Sequence, residues 1–261
     1  MAPLDLQRSR DLGALLGAAF PVWLRHFPVF FAMAFIVVAP VMGLVDGVWA
    51  GTLDEFTPED GGPVEAQVAS WFCLWIVMPA LVTAMHVVAV QDLGRGVQPT
   101  IRHSLAVALS VFVPVSIVLI LYVLGALAGA VLLILPGIWI AVRWYFGPQA
   151  VVVEGLRGRA ALRRSGALVD GMWWRVFGIA LLVCLLTTLF AAPLAAIGLA
   201  VESAGADTGL VVVTFQLVWN AVAMSFTALV ATLLFFDLRV RTDGVAADDR
   251  LAASPERPLP A

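Results

Sequence analysis

The sequence predicts an all-α, polytopic membrane helical bundle: six transmembrane helices, amphipathic interfacial helices beside them, and both termini cytoplasmic. Three observations predict it. Hydrophobic residues make up 62% of the 261 and charged residues only 13%, with a mean hydropathy of +0.99, a composition that belongs in lipid. Five stretches, 26–45, 66–91, 103–142, 176–201 and 208–236, contain no Asp, Glu or Arg. Each is long enough to cross a hydrocarbon layer of ~30 Å. All 15 basic residues are arginine, and their positions fix a side for every loop.

The third stretch is too long for one crossing. As a straight helix it would reach roughly 60 Å at ~1.5 Å per residue, about twice the hydrocarbon thickness. It must reverse, and the small residues Gly125-Ala126-Leu127-Ala128-Gly129 are the expected turn. The six expected spans are therefore about 27–45, 69–90, 104–124, 126–146, 176–200 and 209–236, within a transmembrane domain of 27–241.

Arginine in short loops is retained on the cytoplasmic side. With six spans and the N-terminus inside, the two longer outer loops hold Asp46, Asp54, Glu55, Glu59, Asp60, Glu65, Glu202 and Asp207 and no arginine. Five spans would export Arg239 and Arg241, or else the arginines before Leu105. The expected location is a cell membrane with both ends inside. The absence of lysine beside heavy Ala, Arg, Val and Leu usage points to a GC-rich bacterial genome and hence a bacterial cytoplasmic membrane. A formal net charge of -3 implies no particular partner, and nothing supports nucleic-acid binding.

Residues 1–26 read as an N-terminal amphipathic interfacial helix. Leu12, Leu15, Leu16, Ala19, Phe20, Trp23 and Leu24 share one face, and Gly13, Ala14, Gly17, Ala18 and Pro21 form a small-residue face suited to packing on the bundle. No small-residue cleavage site closes the apolar run before Arg25-His26, so this segment is expected to be retained. Residues 242–261 have too few large apolar side chains to bury and read as a disordered cytoplasmic tail. Tryptophans suit the two headgroup belts, Trp49 and Trp71 outside and Trp23, Trp144, Trp173 and Trp174 inside.

Arg25-His26-Phe27, Arg102-His103-Ser104 and Arg175-Val176-Phe177 each lead from the cytoplasm into a span. Three similarly oriented units could be a repeat about the membrane normal, or topological convergence; the low similarity between them favours convergence.

Chemistry-bearing residues are scarce. His86 is the one ionisable side chain well inside a span and reads as a hydrogen-bonded structural group, the alternative being a proton carrier or ligand. His26, His86 and His103 share no metal-ligand spacing, and Cys73 and Cys184 form no CxxC pair, so neither a metal nor another cofactor is expected. No Gly-x-Ser-x-Gly or intramembrane carboxylate pair appears, so the chain is expected not to be an enzyme.

Pro40, Pro79, Pro114, Pro136 and Pro193 interrupt the first five spans, with Gly137 beside Pro136. Broken helices can free carbonyls for a solute, but neighbouring helices can also re-satisfy them, the reading preferred here. Gln216 and Asn220, four apart with Thr227 near the same face, could line a polar path or hydrogen-bond between helices. Arg157, Arg159, Arg163 and Arg164 could bind anionic lipids or a membrane partner protein, or could act through topology alone. Glu154 and Asp170 flank that cluster and should pair with part of it. At the close of the last span Asp237 and Arg241 are spaced to pair, with Arg239 between them snorkelling.

Three runs carry a resemblance. They are Leu132-Leu-Ile-Leu-Pro136-Gly137-Ile-Trp-Ile-Ala-Val-Arg143, then Val153-Glu154-Gly-Leu-Arg157-Gly-Arg159-Ala-Ala-Leu-Arg163-Arg164-Ser165, then Gly171-Met-Trp-Trp-Arg175-Val-Phe-Gly178. With the ending Leu-Leu-Phe-Phe-Asp237-Leu-Arg239-Val-Arg241 and the opening helix, the chain resembles, over about 4–241, the membrane domain associated with glycerophosphoryl diester phosphodiesterases. Phe235 and Phe236 stand where members of that family often carry tyrosines. The phosphodiesterase reaction belongs to a separate soluble barrel that no part of this chain can form. The resemblance therefore implies a six-helix membrane domain, and the expected role is a non-catalytic scaffold or accessory linked to lipid-headgroup or envelope processes. The alternative is a small-solute transporter or channel.

Overall fold

The computed structural model describes residues 12–53, 64–203 and 209–253, which form an all-helical bundle. In chain order the helices are α1 (Leu12–Arg25), α2 (Phe27–Leu53), α3 (Val64–Phe72), α4 (Met78–Gly94), α5 (Ile101–Ser110), α6 (Phe112–Leu132), α7 (Ile134–Trp144), α8 (Gly147–Glu154), α9 (Arg159–Val169), α10 (Trp173–Ser203) and α11 (Gly209–Ala253). A π turn, Cys73–Val77, joins α3 to α4.

Four apolar stretches are long enough to cross a membrane: Phe27–Val45, Val64–Gly94, Phe112–Leu132 and Val213–Gly244. A fifth arises if α9 and the start of α10, bent at 100° to each other, are taken together. The chain is thus a multi-pass membrane bundle with four such spans among the described residues, or five, where six were expected.

Burial identifies the centre. Of the apolar stretch of α11, 72% is inside the protein, and of α3–α4, 61%, against 33% for α2 and 28% for α6. The pair α4 and α11 therefore forms the core, and α2 and α6 present most of their surface to lipid. Phe30, Met33, Met85, Leu229, Leu233 and Phe235 are among the fully buried large side chains that join α2, α4 and α11. On α1, Ala19 and Trp23 are buried, while Phe20, Leu24, Gly13, Gly17 and Pro21 are exposed. Of the small-residue face expected to dock, Gly13, Gly17 and Pro21 thus point outward. Trp23 supplies the reason: its ring lies edge-on to Phe27 and Phe226, at 4.8 and 5.7 Å, which small side chains cannot match.

Proline accounts for the helix irregularities. Pro114 has no N–H for the Ser110 carbonyl, and the chain kinks beside it at Val111 (φ -103°, ψ 5°), between α5 and α6. Pro79 follows the π turn, in which the Met78 N–H reaches five residues back to the Cys73 carbonyl. Pro136 occupies the first turn of α7, where its missing N–H costs nothing. Pro40 is carried inside an unbroken α2.

The reversal between α6 and α7 falls at Leu133 (φ -163°, ψ 146°), beyond the Gly125–Gly129 segment expected to turn. Those glycines serve contact instead. A Cβ on Gly137 would lie 2.7 Å from the Ala130 backbone nitrogen, and one on Gly129 would lie 2.9 Å from the Gly137 Cα. The two arms touch backbone to backbone, an approach only glycine permits. With the turn displaced, the arm that packs back along α6 begins at Ile134, where a return from 126 was expected. At the other end, α11 continues past Phe236 to Ala253, so Asp243 lies on a helix where a disordered tail was expected from residue 242. Its pairing with Arg239 one turn earlier and with α9 supports that extension. Residues 254–261 of that expected tail lie outside the described residues.

Gly137→Val should therefore destabilise the bundle by about 1–3 kcal/mol, since the clash is with backbone that cannot rotate aside. Gly43→Val, built into open space, should change little. Thermal unfolding in mild detergent compares the two; equal midpoints would contradict the close hairpin.

Candidate functional site

The residues singled out by sequence converge where α7, α8, α9 and α11 meet, and the meeting begins with a broken helix. Pro148 in the first turn of α8 withholds an N–H from the Trp144 carbonyl, and the helix breaks at Tyr145 and Phe146 (φ -93°, ψ 10°). The break leaves the Arg143 carbonyl and the Phe146 N–H without their helical partners.

Ser165, fully buried on α9, pairs with both: its hydroxyl donates to the Arg143 carbonyl at 2.9 Å and accepts from the Phe146 N–H at 3.0 Å. Gly166 beside it leaves room for the Arg143 side chain, whose Nε would lie 3.1 Å from any Cβ there. Arg143 crosses α9, sits over the Trp139 ring at 5.0 Å and pairs with Asp170 through both guanidinium nitrogens. Gly155 (φ +67°) ends α8 in a left-handed conformation, and Gly158 (φ +51°) precedes α9.

Arg164 ties this corner to the core helix. Its Nε lies 2.9 Å from Glu154 and its Nη2 2.9 Å from Asp243. Burial disfavours its charge, but hydrogen bonds to the two carboxylates outweigh that, so its pKa is raised. Arg239 joins the same carboxylates more loosely, 3.4 Å from Glu154 and 3.5 Å from Asp243. One turn inward, the fully buried Asp237 carboxylate is paired by Arg175 of α10 at 3.0 Å and by Arg241 at 3.1 Å. Glu154, Arg164, Arg239 and Asp243 therefore form one charged network joining α8, α9 and α11, and Arg175, Asp237 and Arg241 a second joining α10 and α11.

The remaining arginines of the expected cluster behave differently. Arg157, Arg159 and Arg163 are exposed and make no ion pair among the described residues. Arg159 and Arg163, four apart, share the outward face of α9, whose opposite face buries Ala161, Leu162, Ser165, Leu168 and Val169. Pro136 and Gly137 lie in the α6–α7 hairpin, away from this corner. Gln216 is exposed, and the Asn220 side chain donates to the Gln216 carbonyl of its own helix at 2.8 Å.

His86 occupies a second, fully buried polar chain. Its Nδ1 lies 2.8 Å from the Val82 carbonyl, which can only accept, so Nδ1 carries the proton. Nε2 then accepts from the Ser225 hydroxyl at 3.2 Å, and Ser225 accepts from the Trp23 indole N–H at 3.1 Å. Stacking on Phe30 at 5.3 Å completes the setting. Both nitrogens are engaged, as in a group that fastens α1, α4 and α11 together.

Sequence alone missed Ser165, Asp243 and the Arg143–Asp170 pair. Asp243 hid in a stretch poor in apolar residues. A usable signal did exist for Ser165, in Pro148 breaking a span that must recover its backbone partners. Among the described residues no group of three or more His, Cys, Asp and Glu could hold a metal ion.

Compared with known proteins, the chain matches no family model, no curated protein and no solved structure. Fold and site together define it as an α-helical multi-pass membrane protein with a charged corner at one end of the bundle.

Ser165→Ala should cost about 1–3 kcal/mol, because two buried backbone groups lose their partner. Ser104 is equally buried but its hydroxyl has no partner among the described residues, so Ser104→Ala should be neutral or stabilising. Equal losses in detergent melts would contradict the role given to Ser165.

Proposed function

We propose that the chain crosses the membrane six times with both ends cytoplasmic, and that it works as a non-catalytic membrane scaffold whose cytoplasmic face holds anionic lipid headgroups. The six crossings rest on an even count that keeps the described arginines on one side: α2, α3 with α4, α6, and the α7 arm that turns back from α6 are the first four. α10, with 31 residues, and α11 make the remaining two. The arginine-bearing ends then fall on one side, which is cytoplasmic by the positive-inside rule.

One observation carries the lipid role: the arginine cluster is divided. Arg164 is committed to Glu154 and Asp243, whereas Arg157, Arg159 and Arg163 are exposed and have no carboxylate partner among the described residues. α9 is bent by 100° from α10, so with α10 upright in the bilayer α9 lies along its surface, apolar face inward and arginines toward the headgroups. The same runs, from Pro136-Gly137 to Arg164-Ser165, support kinship with the membrane domain associated with glycerophosphoryl diester phosphodiesterases. Transport finds no support in Gln216 and Asn220, one exposed and the other turned onto its own helix.

At ~1 kcal/mol per charge near an anionic surface, converting Arg157, Arg159 and Arg163 together to Gln should weaken retention of phosphatidylglycerol by on the order of 100-fold. Native mass spectrometry from mixed-lipid nanodiscs reads that retention. Arg164→Gln should instead lower thermal stability. Undiminished anionic lipid on the triple variant would defeat the proposal.

A further inference from the structure

Away from the charged corner, α4, α6, α8, α10 and α11 surround a half-open cavity of about 270 Å³. Its enclosed side is made by Val82 of α4, Pro148 of α8, and Ala228 and Ala231 of α11, all buried. Its rim is made by the half-buried Tyr122 of α6, Thr187 of α10 and Met224 of α11.

The position of the mouth decides what reaches it. Val82, Tyr122 and Ala228 lie near the middles of the apolar stretches Val64–Gly94, Phe112–Leu132 and Val213–Gly244, which puts the cavity at hydrocarbon depth. Along α6, Tyr122 stands between Ile120 and Leu124, which are 36% and 59% exposed; along α10, Thr187 stands between Leu185 and Leu189, at 57% and 67%. Large aliphatic side chains so exposed at that depth face lipid, and the mouth is continuous with the surface they form. Toward the charged corner the helices close up instead. A Cβ on Gly147, at the start of α8, would lie 2.6 Å from Val118 of α6 and 3.1 Å from Leu162 of α9. Entry is therefore sideways, from the bilayer.

Chemistry narrows the occupant further. No charged side chain lines the wall, so an ion or a headgroup would lose its hydration unrewarded. The hydroxyls of Thr83, Tyr122, Tyr145, Thr187 and Thr227 interrupt a surface that is otherwise mostly hydrocarbon. That of Thr187 is already bonded to the Val183 and Cys184 carbonyls, both at 2.9 Å. Water has little to gain on such a wall. A hydrocarbon chain does gain, because it restores the dispersion contacts that an unfilled crevice forfeits, and it is what the bilayer supplies at that depth. At about 270 Å³ the space falls just short of most small-molecule pockets, which fits a single chain and excludes a whole lipid.

We propose that this cavity seats one acyl chain of a membrane phospholipid, admitted between α6 and α10 and laid against Val82, Met224 and Ala228. Headgroup charge plays no part in it, so this seat and the surface formed by Arg157, Arg159 and Arg163 can each fail without the other.

The test uses the full-length protein in phosphatidylcholine nanodiscs that include a phosphatidylcholine with a photoactivatable diazirine midway along one chain. The zwitterionic headgroup keeps the arginine surface out of the measurement. After irradiation, peptide mass spectrometry locates the adducts. They should appear on Tyr145 and Met224 in the cavity as well as on the lipid-facing Leu185 and Leu189. Ala228→Phe, which fills the cavity from its enclosed side, should abolish the adducts on Tyr145 and Met224 and leave those on Leu185 and Leu189 unchanged. Ala223→Leu, which narrows the cavity from another lining position, gives a second reading should the first variant not fold. Adducts confined to Leu185, Leu189 and other outward-facing side chains, or cavity adducts undiminished in the variants that fold, would overturn the proposal.

Discussion

A helix broken inside a protein, away from water, leaves backbone groups that need partners there, and the arrangement of this protein's charged end follows from how it meets that constraint. Pro148 breaks the return arm at Tyr145 and Phe146, and a single hydroxyl, Ser165, pairs with both the Arg143 carbonyl and the Phe146 N–H. Ser165 can do so only if α9 lies against the break, and Gly166 is what lets Arg143 pass at that distance. With α9 held there, Arg164 falls between Glu154 of α8 and Asp243 of α11. The local defect thereby sets the position of a surface helix and its link to the central one.

The same placement divides the arginines by role. Buried and half-buried guanidiniums are matched: Arg164 by two carboxylates, and Arg175 and Arg241 by Asp237, whose side chain is wholly enclosed. Breaking such pairs is expensive because the surviving charge has no water to turn to. Those on the outer face of α9 are bound by no such demand, which leaves them available to an anionic surface. A chain-order cluster of four thus becomes one structural residue and three facing outward.

Much of this was legible from sequence because lipid imposes coarse rules. Apolar length located α2, α4, α10 and α11, and the pairing of Asp237 with Arg241 followed from their helical spacing. The turn between α6 and α7 was misplaced because small residues carry two meanings, hinge and close contact, and composition does not separate them. Here Gly129 and Gly137 mark the contact, and Leu133 supplies the turn. The packing face of α1 was misjudged for a related reason: periodicity identifies a stripe, but whether lipid or protein covers it depends on the partner, here Phe226 and Ser225. Ser165 and Asp243 act through neighbours far off in sequence, which local patterns do not encode.

The central claim is that α9 and the end of α11 lie together on the cytoplasmic face. Single cysteines at the exposed positions Ala167, Gly244 and Val64, in a chain whose Cys73 and Cys184 are replaced by alanine, test it with a membrane-impermeant thiol reagent. In intact cells the account expects labelling at position 64 alone, with 167 and 244 reacting only after permeabilisation. Labelling of 167 and 244 from opposite sides of the membrane would contradict it.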